Sequence, residues 1–175
     1  MCVWTGDRAG EADALSNLGL LHGQQGQHRQ AIDHFRQALT LYRRLGNRAG
    51  EAEAHNGLGE VLWSAGDAGE ARTEHSAALT QAIETGYWYE QVRAHDRLAY
   101  AYQAAGERDS ARDHWQRALA LHAALGTGGG PGDSERVGAG GGPGDCESED
   151  IRANLAALDG AAPNRDSTVG SPHVR

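Results

Sequence analysis

The chain has no lysine: its 16 basic residues are all arginine, against 24 acidic residues, and the formal net charge is −8. An acidic chain without a clustered basic stripe lacks the charge pattern with which proteins bind nucleic acid. The missing lysine also excludes a Walker-type phosphate loop, whose Gly-Lys pair holds nucleotide phosphates. We therefore expect no direct binding of nucleic acid by this chain.

Cysteine and long apolar runs are scarce as well. Cys2 and Cys146 are the only cysteines, and their spacing suits neither a disulfide framework nor a metal site. No run approaches the ~18 consecutive apolar residues of a membrane span. Residues 1–10 contain no apolar run that would serve as a signal peptide. We predict a cytoplasmic chain that makes no contact with a membrane.

The residues that would support catalysis are not arranged for it. His22, His28 and His34 lie six residues apart, which turns them to different faces of a helix, and no cysteine lies nearby. The sequence offers no Ser-His-Asp or Cys-His arrangement that can be assigned to nucleophilic catalysis. We predict no metal, no cofactor and no enzymatic activity.

The sequence does contain an internal repeat of 40 residues. It is marked by glycines, and by leucine and alanine landmarks at the same spacing: Gly6, Gly46, Gly86 and Gly126; Leu18, Leu58 and Leu98; Ala31, Ala71 and Ala111. A fixed period in this range is typical of a solenoid, where each repeat buries its apolar face only against its neighbours. We predict an all-α solenoid whose repeat array spans 1–126, with repeats at 6–45, 46–85 and 86–125.

Each repeat contains two segments in which apolar residues recur three and four positions apart, the spacing of an amphipathic helix. Glycines that follow these segments suit the left-handed turn closing a helix. Asp7 and Asn47 are placed to cap helices, and Asp67 with Glu70 has capping-box spacing. The predicted helices are 9–24, 28–45, 49–64, 68–85, 88–105 and 108–125.

The order Leu18-Gly19, Ala31, Phe35 and Ala38 resembles the tetratricopeptide repeat. That motif usually has about 34 residues, and we attribute the longer period here to lengthened helices. Small residues such as Gly19 would let two helices approach closely, with Phe35 and Trp115 filling the flanking space. Three histidines depart from the apolar pattern, and we expect them to loosen the core of repeats two and three: His55, His75 and His95.

The resemblance implies a non-catalytic module that binds a protein or peptide segment. In tetratricopeptide arrays the first helices of successive repeats line a concave groove. The matching positions here are Asp13, Ser16, Leu20, Gln24, Glu53, Asn56, Glu60, Trp63, Arg93, Asp96, Tyr100 and Gln103. Trp63 and Tyr100 would be its anchors, whereas the Lys and Asn clamp that holds a peptide carboxylate is absent. The run Tyr87-Trp88-Tyr89 is either packing between repeats or a further contact patch.

The third repeat is also similar to the last repeat of large bacterial regulators, including SARP-type regulators of antibiotic production. The residues concerned are Tyr89-Glu90-Gln91, Ala94-His95-Asp96 and Asp113-His114-Trp115. In that family an effector domain and a nucleotide-switch (NB-ARC-like) ATPase domain precede the array. The alternative function is therefore a fragment of the sensor or autoinhibitory array of such a regulator.

The start of the sequence fits this alternative, because Met1–Thr5 correspond by the 40-residue period to Leu41–Leu45, the end of a second helix. A first repeat without its neighbour would leave Leu15, Leu18 and Leu21 uncovered. Exposed apolar faces of this kind promote association. We therefore expect that the chain is either marginally stable or self-associates through its first repeat.

Beyond the repeats the composition changes. Residues 126–145 include ten glycines, and Gly-Gly-Gly-Pro-Gly-Asp occurs at 128–133 and again at 140–145. Such sequence cannot bury enough apolar surface to order itself, so we predict a disordered insertion over 127–149. Helical periodicity returns with Ile151, Leu155 and Leu158, which predicts a capping helix over 150–159. Residues 160–175 are predicted to form a disordered tail.

Overall fold

The computed structural model describes residues 7–126 and 145–160, which form helices and no strand. The helices are α1 Arg8–Gln24, α2 His28–Leu45, α3 Arg48–Ser64, α4 Ala68–Thr85, α5 Trp88–Ala104, α6 Arg108–Gly126 and α7 Asp145–Gly160. Connections of two or three residues between α1 and α6 force each helix to pack on its neighbour in sequence. α3 also contacts α1 and α5, so the first helices of the three repeats lie side by side. The predicted all-α repeat array is confirmed.

The turns follow the glycine pattern. Gly46 and Gly86 close α2 and α4 in the left-handed conformation, with φ of 66° and 67°. At the starts of α1 and α3, Asp7 and Asn47 each accept a backbone N–H three residues on, at 3.0 Å. The capping box predicted at Asp67 is wrong, because its side chain makes no capping hydrogen bond.

The core of the first repeat is a large ring held between two helices. Phe35, on α2, is only 3% exposed. A Cβ added at Gly19 of α1 would lie 2.8 Å from this ring, and one added at Gly57 of α3 would lie 2.5 Å from it. Only glycine fits at these two positions, since any side chain would displace Phe35 or push the helices apart.

The expected loosening of repeats two and three does not occur, because the three histidines that replace apolar residues are buried and hydrogen-bonded. His55 is 6% exposed, and its Nδ1 lies 2.5 Å from Glu74 Oε2. His95 Nδ1 lies 2.8 Å from His114 Nδ1. His75 is 2% exposed and has a partner on α3. Buried polar groups are stable where they find hydrogen-bond partners.

The last helix packs on the third repeat. Ile151 and Leu158 are buried in one cluster with Trp115, and Asp159 pairs with Arg112 at 2.9 Å. α7 begins at Asp145, five residues before the predicted start, in sequence that we assigned to the glycine-rich insertion. The rest of that insertion and residues 161–175 lie outside the described residues, and the division into domains stays a prediction. No helix among the described residues is long and apolar enough to cross a membrane.

The steric requirement at Gly57 can be tested against a glycine that has open space around it. We expect Gly57→Ala to lower the free energy of unfolding by about 1–3 kcal/mol, because the new methyl group overpacks against Phe35. The control is Gly69→Ala in α4, where no atom beyond the adjoining helix backbone and the two neighbouring residues lies within 4 Å of the added Cβ. That change should be neutral or stabilise by up to about 1 kcal/mol. Equal effects in urea denaturation would show that Phe35 does not require the glycine.

Candidate functional site

An open cavity of about 360 Å³, here called the α3–α5 cavity, lies where α3, α4 and α5 meet. Its lining combines aromatic, charged and hydroxyl side chains: Glu60, Trp63, Ser64, His75, Arg97 and Tyr100. Trp63 is 40% exposed, so a substantial part of this large aromatic side chain is open to solvent. Glu60, Trp63 and Tyr100 were predicted as groove residues from the sequence. The structure brings these three together.

The charged wall of the cavity is an ion-pair cluster that joins α3 to α5. Glu60 accepts hydrogen bonds from Arg93 Nε and one Arg93 terminal nitrogen at 3.0 Å each, and from Arg97 Nε at 3.1 Å. Burial of Glu60 raises its pKa, but the hydrogen bonds and positive charges of Arg93 and Arg97 outweigh burial, so the net pKa is lowered. Glu60 is therefore a carboxylate whose negative charge is already compensated.

Behind this wall lies a buried chain of hydrogen bonds. Asn56 Nδ2 donates to Glu90 Oε2 at 2.7 Å and to the Glu90 backbone oxygen at 3.1 Å. Because both amide hydrogens face Glu90, the amide oxygen of Asn56 faces His75 Nδ1 at 3.0 Å. An oxygen of this kind only accepts, so His75 Nδ1 carries the hydrogen.

The ionisation of His75 follows from its surroundings. Burial lowers the pKa of His75 to about 4. The ring is therefore neutral near pH 7, with a hydrogen on Nδ1 and an unprotonated Nε2. Among residues 7–126 and 145–160, no side chain or backbone group forms a hydrogen bond with Nε2, and His75 is part of the cavity lining. The cavity thus contains a hydrogen-bond acceptor on a nearly buried side chain.

The predicted groove residues of α1 stand apart from this cavity. Asp13, Leu20 and Gln24 are exposed, and the Asp13 carboxylate accepts a hydrogen bond from the Tyr42 hydroxyl at 2.7 Å. Ser16, by contrast, is buried, with 8% of its surface exposed. None of these four residues lines the cavity. Ser16 thus belongs to the interior of the first repeat, and not to its surface.

The predicted groove residues of α3 and α5 divide into surface and interior. Glu53 and Gln103 are exposed, and Arg93 and Asp96 are half-buried. Asn56 is fully buried, so a partner in the groove cannot reach it. The sequence predicts Asn56 on the groove surface, because its position in the helix suits that face. Its burial depends on polar partners 19 and 34 residues away, which local periodicity does not reveal.

Tyr100 is both a cavity residue and a link to the last helix. Its hydroxyl accepts a hydrogen bond from Asn154 Nδ2 of α7 at 2.7 Å. Its ring meets Trp115 edge to face, with centroids 5.3 Å apart. Trp115 Nε1 in turn donates to Asp96 at 3.1 Å. Tyr100 and Asp96, two of the four predicted α5 residues, are therefore held by the packing of repeat three.

The sequence prediction missed three lining residues: Ser64, His75 and Arg97. His75 lies on α4, a second helix, and we considered only first helices as groove residues. A signal was present in the sequence, because His75 occupies the position that Phe35 has in repeat one. A polar ring at a core position requires hydrogen-bond partners from other helices. For the run Tyr87-Trp88-Tyr89, all three residues are half-buried and Trp88 packs on the cluster around Trp115. This favours packing over an exposed patch.

The buried histidines predict a loss of stability in mild acid. The unfolded chain binds protons as pH falls through 6.5, whereas folded His75, with its pKa lowered to about 4 by burial, does not. Stability is therefore complete above pH 6.5 and falls towards pH 4. Between pH 7 and pH 5 we expect His75 to cost about 2 kcal/mol of the free energy of unfolding.

His75→Phe should remove that part of the pH dependence, since repeat one already carries phenylalanine at this position. Urea denaturation of both proteins at pH 7, 6 and 5 measures the difference. Parallel pH profiles for the two proteins would contradict a depressed pKa at His75.

Three or more His, Cys, Asp or Glu side chains do not come together as a metal site anywhere in the described part of the chain. The lining of the α3–α5 cavity comprises exposed aromatic surface, paired charges and hydrogen-bonding groups on packed helices.

Comparison with known proteins identifies the repeats. A family profile described as tetratricopeptide repeat matches residues 12–45, and another with the same description matches residues 50–124. Together they cover more than half of the chain. No curated protein matches the chain significantly.

Two solved structures show the same fold. The TPR domain of FLU from Arabidopsis matches with a TM-score of 0.63 and 22% identity, covering 67% of this chain and 98% of that one. BtubC (BKLC) from P. vanneervenii matches with a TM-score of 0.74 and 18% identity, covering 91% of this chain and 59% of that one. From these profiles and this architecture, the chain belongs to the tetratricopeptide repeat proteins.

Proposed function

We propose that this chain is a non-catalytic interaction module that binds a protein or peptide segment along the exposed surfaces of the first helices α1, α3 and α5, with its anchors at the α3–α5 cavity. Tetratricopeptide repeats generally serve as interaction modules, and this family membership supports the general role. The observation that carries the particular site is Trp63, a tryptophan 40% exposed at the edge of a cavity. Exposed tryptophans at such cavities are frequent anchors of protein interfaces.

The proposed contact surface contains the predicted residues that remain accessible. Trp63 and Tyr100 provide aromatic surface, and Glu60 and Arg93 provide polar contacts from a preformed ion pair. Further accessible residues extend the surface along the first helices: Asp13, Leu20, Gln24, Glu53, Asp96 and Gln103. Ser16 and Asn56 are excluded from it because they are buried. A preformed surface binds with little loss of conformational entropy.

A library of peptides displayed on phage, selected against the folded chain, provides a ligand for testing the site. We expect Trp63→Ala to weaken a selected peptide roughly thirtyfold, because a true anchor contributes about 2 kcal/mol or more. Ile83→Ala is the matched control, since Ile83 is 58% exposed on α4 and does not line the cavity. Affinity is measured by calorimetry and folding by circular dichroism. Equal affinities for the two variants would place the binding site elsewhere.

We also propose that the exposed face of α1 associates with a second copy of the chain. Leu18 and Leu21 are 40% and 50% exposed, whereas their counterparts in repeat two, Leu58 and Val61, are 2% and 7% exposed. In repeat two this face is covered by the neighbouring repeat. A second copy carries surfaces with the same 40-residue periodicity, and contiguous exposed apolar surface favours association.

Sedimentation velocity over a range of concentrations tests this association. We expect a monomer–dimer equilibrium that shifts to the monomer in Leu21→Gln. Ile83→Gln, which removes an equally exposed side chain from α4, should leave the equilibrium unchanged. A monomer at every concentration, or the same shift in both variants, would contradict the proposal.

The alternative as part of a bacterial nucleotide-switched regulator rests on the sequence of repeat three. Two of the residues concerned, Asp96 and Trp115, hold α5 against α6 in the structure. Both residues therefore serve the packing of the last repeat, and such a packing role is compatible with either function. The genomic sequence around the reading frame distinguishes the two. In-frame code for an ATPase domain would favour the regulator, and its absence would favour the separate module.

A further inference from the structure

We infer that the α3–α5 cavity receives an aromatic side chain bearing one neutral N–H or O–H group, and that His75 Nε2 accepts its hydrogen bond. This inference rests on the proposed function and names the chemistry of the segment that the module would bind. Its starting point is an acceptor for which the folded chain supplies no donor. The buried side-chain atoms without a partner do not include this nitrogen, so it is open to solvent. A ligand donor that takes the place of water there gains the net free energy of one hydrogen bond.

The position of the acceptor is fixed by the fold. A Cβ added at Gly59 would lie 2.6–2.9 Å from Nδ1, Cε1 and Nε2 of the His75 ring, so the ring packs directly against the α3 backbone at Gly59. On one edge of the ring, Nδ1 is held by the Asn56 oxygen at 3.0 Å. Asn56 is itself oriented by Glu90. The histidine therefore cannot turn to satisfy Nε2 elsewhere without breaking a buried hydrogen bond.

The charges around the cavity favour a neutral donor over an ion. Glu60 already accepts three hydrogen bonds from Arg93 and Arg97, so it has little capacity to hold a ligand cation. The two guanidinium groups would also repel such a cation. A ligand carboxylate would meet Glu60 and the unprotonated Nε2, neither of which donates a hydrogen bond. Both guanidinium groups are already paired with carboxylates, Arg93 with Glu60 and Glu90, and Arg97 with Glu60 and Asp96. A neutral N–H or O–H avoids both costs.

The walls of the cavity favour an aromatic carrier for this donor. Trp63 presents exposed ring surface, and the Tyr100 ring is held in place by its edge-to-face contact with Trp115. Aromatic groups pair with aromatic walls in offset or edge-to-face arrangements, and tryptophan and tyrosine combine such a ring with one polar hydrogen. The partner segment would therefore contribute a tryptophan or tyrosine side chain to this cavity.

Two small ligands that differ in one atom test the hydrogen bond. N-acetyl-tryptophan amide carries the indole N–H, whereas the amide of N-acetyl-3-benzothienylalanine replaces that N–H by sulfur and keeps the shape. Titration of the ¹⁵N-labelled full chain with each ligand, followed by NMR, gives their affinities. We expect the indole to bind roughly two- to tenfold more tightly, the range of one net hydrogen bond, and to shift the Trp63 side-chain N–H signal.

A protein variant isolates His75 from the other walls. His75→Phe keeps a ring of the kind that repeat one places against Gly19, but it removes Nε2. We expect this variant to bind both ligands with equal affinity. His95→Phe is the control, because His95 is equally buried but does not line the cavity, and it should keep the preference for indole. If His75→Phe does not fold, the ¹⁵N signal of Nε2 in the unmodified chain must shift with the indole ligand and not with benzothiophene.

The outcomes separate this inference from the proposed function. If both ligands bind equally to the unmodified chain, or neither binds, the inference is wrong, while peptides that depend on Trp63 still support the module. If the indole preference depends on His75 but selected peptides bind independently of Trp63, the cavity chemistry stands and the groove proposal fails. An indole preference retained in His75→Phe would also overturn the role of Nε2.

Discussion

The array depends on one repeated contact, in which a ring on the second helix of a repeat packs where the first helix carries glycine or alanine. In repeat one Phe35 lies against Gly19, and in repeat two His75 lies against Gly59. In repeat three Trp115 is fully buried in a cluster with Ala99. The helices can approach closely only because the first helix carries no side chain, or only a methyl group, at this point. The ring then determines what else the interior must contain.

The polar interior follows from the kind of ring. Phe35 needs no hydrogen bond, and the corresponding first-helix residue is the small Ser16. His75 requires an acceptor for Nδ1 and finds the Asn56 oxygen, while Trp115 Nε1 finds the Asp96 carboxylate. Ser16, Asn56 and Asp96 are equivalent by the 40-residue period. The site between repeats two and three is therefore a consequence of core chemistry, since Asn56 also recruits Glu90, which contacts Arg93.

The fold could be predicted because periodicity and turn glycines act locally, and the helix bounds from α1 to α6 agree within two residues. The start of α7 was missed because its first residues lie in sequence dominated by glycine. Of the site, Trp63, Glu60 and Tyr100 were found from their place on the first helices. The burial of Asn56 and the role of His75 arise from partners on other helices, and a periodic pattern identifies the face of a helix but not its partner's chemistry.

The central claim is that the interior of repeat two holds His75 neutral, with hydrogen on Nδ1 and a free electron pair on Nε2 towards the cavity. The ¹⁵N chemical shifts of the His75 ring in the folded chain test it most directly. The account predicts a protonated-type signal for Nδ1 and an unprotonated-type signal for Nε2, both unchanged from pH 8 to pH 5.5, because burial lowers the pKa of His75 to about 4. A hydrogen on Nε2, or titration of the ring near pH 6.5, would contradict it.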